Sequence, residues 1–101
     1  MRRDIFHAIA DPTRRNILSL LATKAMTPNS IAEHFATTRQ AVSKHIRVLT
    51  ECRAIDQQRT GREIYYYFNP GKMKEIDQWI EPFRQTWEDR FDQLDKILKD
   101  L

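Results

Sequence analysis

A mainly α-helical domain with one small β-hairpin is the fold class that this sequence of 101 residues predicts, and three observations predict it. Two polar-then-proline pairs, Asp11-Pro12 and Thr27-Pro28, each open a stretch with apolar residues at helical spacing. Beyond Ala54 the pattern switches from period 3.6 to period 2, in two runs on either side of Thr60-Gly61. From Lys72 onward apolar residues return in steps of three or four and continue to Leu101.

The length suits one domain with a real hydrophobic core, yet it falls short of what a highly stable monomer would bury, which leaves room for a partner chain. Two glycines, four prolines and 31% charged residues describe a compact helical protein, not a disordered one. The longest apolar runs, such as AIA and ILSLLA, are too short for a membrane span or a signal peptide, so a cytoplasmic protein is expected. A single cysteine, Cys52, can form no internal disulfide and supplies no thiolate pair for a soft metal. It reads as a small buried hydrophobe near a helix end, with a thiol-sensing role as the alternative. Charge is unevenly placed. Residues 1–70 carry 11 Lys and Arg against 6 Asp and Glu, whereas residues 71–101 carry 6 against 8. The basic part is the one to test for nucleic acid.

Taken in order, Ile5, Phe6 and Ile9 give an opening helix within Met1–Ala10. After the Asp11-Pro12 start, the next helix buries Ile17, Leu18 and Leu21. Thr27-Pro28 starts a short helix with Ile31, Ala32 and Phe35 on one side, ending near Ala36. Thr37 and Gln40 then have the spacing of a capping box, so a further helix begins in TTRQAVSKHIRVL. With Val42 at the centre of its buried side, Ile46 and Leu49 fall within about 40° at 100° per residue. Gln40, Ser43, Lys44 and Arg47 then face outward, with Arg39 and His45 on the flanks. Beyond Ala54, Ile55, Gln57 and Arg59 alternate against Asp56 and Gln58. From Arg62 to Phe68, Ile64, Tyr66 and Phe68 share one side and Tyr65 and Tyr67 the other. Only Thr60-Gly61 separates these runs, giving a hairpin with arginines on both sides of its tip. The final seam runs through Met73, Ile76, Ile80, Phe83, Trp87, Phe91, Leu94, Leu98 and Leu101, with a kink or a fresh start expected at Pro82. Phe83 to Leu101 alone would extend roughly 28 Å at 1.5 Å per residue, too long for one small domain to cover. A second copy can cover it.

Two short helices and a tight turn, the second helix basic and polar on its outer face, followed at once by an arginine-tipped hairpin, is the layout of a winged helix-turn-helix. Lysine and arginine neutralise phosphates and release counterions; Arg and Gln can also make paired hydrogen bonds to guanine and adenine edges. A wing arginine can reach a phosphate or the minor groove. The predicted partner is therefore double-stranded DNA, bound by Gln40, Ser43, Lys44 and Arg47 with Arg59 and Arg62 on the wing, and by Arg39 and His45 in second place. On the last helix, Ile80, Phe83, Trp87, Phe91 and Leu94 of the uncovered seam are expected to meet that second copy. The whole of 1–101 is read as one domain, with 1–70 as the DNA-binding core and wing, and 71–101 as a dimerisation helix or kinked helix pair.

The segments IADPTRRNILSLL (Ile9 to Leu21), SIAEHFATTRQAVSKHIRVL (Ser30 to Leu49) and RTGREIYYYF (Arg59 to Phe68) resemble the ArsR/SmtB-type bacterial transcriptional repressors, over about the first 70 residues without a gap. DPTRR and AVSKH are the most specific marks. WIEPFRQTWEDRFDQLDKIL (Trp79 to Leu98) is similar to the branch of that family without metal ligands. The resemblance implies a homodimeric repressor that binds an inverted-repeat operator and pairs through its first and last helices, which adds Ile5 and Phe6 to the expected dimer interface. Members of the family usually have a glycine after the recognition helix, where this chain has Arg53. A left-handed non-glycine residue costs about 1 kcal/mol, so the helix is expected to end a residue differently here. The family's metal sensors use a cysteine pair on the first helix of the motif, or Asp and His along the last. Here the first of these reads SIAEHFA, and the last helix has no histidine.

No cofactor or metal is therefore expected, and His7, His34 and His45 are read as scattered one per helix. No enzyme constellation appears either: Ser43 and His45 point in different directions, and no Gly-rich phosphate loop is present. Two other readings stay open. One is a repressor of the same fold that responds to an effector, either a small molecule of unknown identity in an aromatic pocket near Trp79, Phe83 and Trp87 or a metal at a histidine site. The other is a winged helix used only for protein contacts. Tyr65 to Tyr67 could stack on single-stranded bases, but period 2 places Tyr66 in the core and leaves its neighbours as hairpin cover or dimer contacts.

Overall fold

The structure, a computed structural model, describes residues 3–101, so Met1 and Arg2 of the expected opening helix lie outside the described residues. The chain forms α1 (Ile5–Ala8), α2 (Pro12–Leu21), α3 (Pro28–Ala32), α4 (Arg39–Glu51), β1 (Ile55–Thr60), β2 (Glu63–Phe68) and α5 (Pro70–Lys99). Each helix opens on a polar side chain that accepts from a backbone amide: Asp4 from His7, Asp11 from Arg14, Thr27 from Ser30, Thr38 from Ala41 and Asn69 from Lys72. Proline follows that cap in α2, α3 and α5, where its fixed φ fits and its missing amide would have had no partner. The buried core runs from Ile5 and Ala8 through Ile17, Leu18, Leu21, Met26 and Ile31 to Val42, Ile46 and Leu49, closing on Cys52, Ala54 and Ile55.

Several boundaries differ from the sequence reading. Rather than reaching Ala36, α3 stops at Ala32, and the amides of His34 and Phe35 donate to the carbonyls of Ile31 and Ala32 in a tighter turn. Of two adjacent threonines it is Thr38, not Thr37, that caps α4. Its third residue is then Ala41, which has no side chain to reach back, so no reciprocal box forms and Gln40 stays free. At the other end Arg53 adopts φ 61°. Its amide donates to Thr50 O and that of Ala54 to Leu49 O, both at 3.0 Å, which is the Schellman closure normally built on glycine. The helix thus ends where a glycine would have ended it, and the left-handed strain is held by Asn69, whose side chain donates to Arg53 O at 2.9 Å.

Strands β1 and β2 pair antiparallel from Ile55 with Phe68 to Thr60 with Glu63, which makes Gly61 and Arg62 the two turn residues. Gly61 takes the positive φ, 65°, that a two-residue turn with glycine first requires. The outer edge of β2 is anchored too: Tyr66 and Met26 exchange backbone hydrogen bonds of 2.8 and 3.2 Å, tying the hairpin to the loop before α3. After the wing, α5 runs unbroken through Pro82. The carbonyl that loses its donor belongs to Gln78, an exposed residue that water can satisfy, and Arg84 spans the proline by pairing with Asp77 at 2.8 Å and with Glu81. No residue of α5 is buried. Its 30 residues extend about 45 Å, so the chain measures 64 × 27 × 26 Å, and its radius of gyration is 18.1 Å. A compact chain of about 100 residues would have about 13 Å.

Candidate nucleic-acid interface

With Val42, Ile46 and Leu49 turned inward, helical periodicity leaves Arg39, Gln40, Ser43, Lys44 and Arg47 exposed on the opposite side of α4. These five side chains line a single shallow groove, so Arg39 belongs to the face and not to its flank. Among the described residues none of its three cations is in an ion pair, and their charge is free to meet a polyanion. A second hollow adjoins it, where Ser43 and Arg47 meet Pro28, Thr50, Gln57 and Tyr66. Gln57 thus borders the candidate face, a neighbour that the sequence reading missed. Its period-2 alignment with Arg59 was visible, but nothing in the sequence set β1 beside α4.

On the wing, Arg59 stands opposite Ile64 and is exposed. Arg62 occupies the second turn position and lines a hollow with Thr27, Pro28 and Asn29 at the start of α3. Tyr65 donates to Glu63 Oε2 at 3.0 Å, which engages its hydroxyl within the wing, and Tyr66 is half-buried against the core.

His45 is placed differently. Its ring is turned away from the exposed row, with Nδ1 3.5 Å from Arg14 Nη1 and 3.8 Å from Asp11 Oδ2. Burial pushes the Asp11 carboxyl up, but the amide of Arg14 and the charges of His45 and Arg14 outweigh it and hold the carboxyl below its ordinary value. Burial raises the Cys52 thiol, which makes it a poor nucleophile. His7 meets Arg3, and His34 lies in the turn after α3 rather than on a helix. Among the described residues no group of three or more His, Cys, Asp or Glu is arranged to hold a metal.

A contrasting surface lies on α5. Ile80, Phe83, Trp87, Phe91 and Leu94 are exposed along one helix, with Phe83 at 58% and Trp87 at 65%. Phe6, at 38%, joins them through an edge contact with Trp79 at 5.5 Å, and Trp79 meets Phe83 at 5.0 Å. Ile5 does not join them. At 1% exposure it belongs to the core of its own protomer and has almost no surface to offer a second chain. Adjacent residues on one helix turn point about 100° apart, and here that turn puts Ile5 in the core and Phe6 at the surface.

Residues 9–58 match a helix-turn-helix domain family. The chain is 39% identical over 80 residues to the transcriptional repressor SdpR of Bacillus subtilis, covering 79% of this chain and 89% of that one. A crystal structure of a possible transcriptional regulator for arsenical resistance superposes with a TM-score of 0.71 at 35% identity, over 87% of this chain and 88% of that one. An ArsR-like regulator from Rhodococcus sp. RHA1 superposes with a TM-score of 0.71 at 28% identity, over 92% and 88%. These relatives are regulators of transcription and not enzymes. With helix-turn-helix, hairpin and sequence in agreement, the chain belongs to the ArsR/SmtB family of winged helix-turn-helix transcriptional repressors.

Proposed function

We propose that two copies of the chain pair through α5 and Phe6 and repress transcription by occupying an inverted-repeat operator, without a metal. Gln40, Ser43 and Arg47 read base edges in the major groove, Arg39 and Lys44 bind phosphates beside it, and Arg59 and Arg62 hold the flanking backbone from the wing. The observation that carries this reading is the apolar stripe of α5, which the described residues of the same chain leave exposed from Phe83 to Leu94. Burying one aromatic side chain of that stripe against a second copy is worth about 1.5–3 kcal/mol, and several lie in line. A two-fold pair carries two recognition helices, and a palindromic DNA site follows from that symmetry.

Footprinting of the full chain on the DNA upstream of its own gene, together with sedimentation, tests the reading. Two protected half-sites about one helical turn apart and a dimer at micromolar concentration are expected. A stable monomer, or one undivided half-site, contradicts it.

A further inference from the structure

The stretch Asp11-Pro12-Thr13-Arg14-Arg15 does more than start α2. Its two arginines reach back to three successive carbonyls at the end of α1: Arg14 Nη2 donates to His7 O at 2.9 Å and Nε to Ala8 O at 3.0 Å, and Arg15 Nη1 donates to Ile9 O at 2.7 Å. A helix of four residues leaves its last carbonyls without helical partners, and these side chains supply them. The remaining arm of the half-buried Arg14 guanidinium faces His45 Nδ1 on α4. A guanidinium only donates, so this contact belongs to the neutral ring, with Nδ1 accepting and the proton on Nε2; a protonated ring instead presents its Nδ1–H to Asp11 Oδ2 at 3.8 Å.

We propose that Arg14 is a positioning residue for DNA recognition, which sets α4 against the end of α1 through His45. The inference rests on the reading above, in which α4 enters the groove and α1 borders the dimer seam. One rigid fork makes three hydrogen bonds to two elements, a geometry that a lysine's single ammonium cannot reproduce. Because Phe6 of α1 touches Trp79 of α5, the same joint connects the seam to the recognition helix. Such a connection is established by coupling between variants, not by proximity.

The test uses the full chain, a duplex selected from a random pool by the wild-type protein, and a scrambled duplex, titrated over a range of salt. Arg14→Lys and His45→Ala are each expected to lower the ratio of selected to scrambled affinity about fivefold. The salt slope should stay unchanged, and the double variant should be no worse than either single one. His45→Asn, which keeps an acceptor where Nδ1 stands, should restore most of the ratio. Additive losses would show that His45 touches DNA by itself, and a slope reduced by about one would make Arg14 a phosphate contact. Equal weakening on both duplexes would reduce Arg14 to a structural brace. Each of these outcomes overturns the proposal. If Arg14→Lys does not fold, the two His45 variants decide, since they leave the α1 carbonyls capped: no rescue by Asn overturns it. A wild-type protein without preference for its selected duplex sinks the operator reading itself, whereas preference with additive losses sinks only the role of Arg14.

Discussion

The exposed faces of α4 and α5 belong to one short chain and have opposite chemistry. On α4 the inward side is sealed by Val42, Ile46 and Leu49, and what remains outside is polar or cationic. On α5 Met73 and Ile76 are half-buried against the core, no residue is fully buried, and what remains outside includes Trp79, Phe83, Trp87 and Phe91. A cationic face can stay solvated indefinitely until a polyanion arrives, whereas an apolar face of this length is a standing cost until something covers it. The domain therefore completes its own core around α1 to β2 and leaves most of α5 uncovered, the surface that the proposed pairing would bury.

Substitutions on the two sides should separate along that line. The largest effect is expected inside: Leu49→Ala, at a site with no exposure, should destabilise the fold by about 3 kcal/mol, equally at every protein concentration. Trp87→Ala should cost about 2 kcal/mol, read instead as a weaker dimer in sedimentation and a denaturation midpoint that depends on concentration. If its midpoint shifts without concentration dependence, the contrast between sealed core and open helix fails. At the junction, Arg53→Gly should raise stability by about 1 kcal/mol in denaturant titration, because glycine adopts the left-handed conformation without strain.

The smallest effect concerns acid. Asp11 has a native carboxyl held below its unfolded value of 3.8, so the unfolded chain binds protons more readily and stability rises with pH across that window. Its contribution is complete above the unfolded value and is lost as pH falls through the native one. Asp11→Asn keeps a competent helix cap while removing the charge, and should flatten the stability profile below about pH 4. An unchanged acid limb would show that the contacts to His45 and Arg14 carry no weight.

Much of this was legible from periodicity. Val42, Ile46 and Leu49, the hairpin about Gly61 and the apolar run of α5 all follow from spacing, because burial leaves a fixed trace in sequence. Choices between equivalent local solutions leave none: two adjacent threonines offer the same cap, and the helix uses Thr38. The Asn69-Pro70 start of α5 repeats the signal of Asp11-Pro12 and was there to be read. Long-range contacts were not legible. Nothing local shows that Arg14 reaches His45 across 31 positions, that Met26 pairs with Tyr66, or that Gln57 borders the recognition face.

In the proposed complex the outward row of α4 discriminates among DNA sequences while the wing supplies general affinity. The most direct test is a salt-titrated shift assay on the footprinted operator and on scrambled DNA, with Gln40→Ala combined with Arg47→Ala set beside Arg62→Ala. The double variant should lose operator discrimination by about 10-fold or more and keep its affinity for scrambled DNA to within the loss of one cation. Arg62→Ala should weaken both duplexes alike and lower the salt slope by about one. Wild-type operator affinity in the double variant would contradict the account.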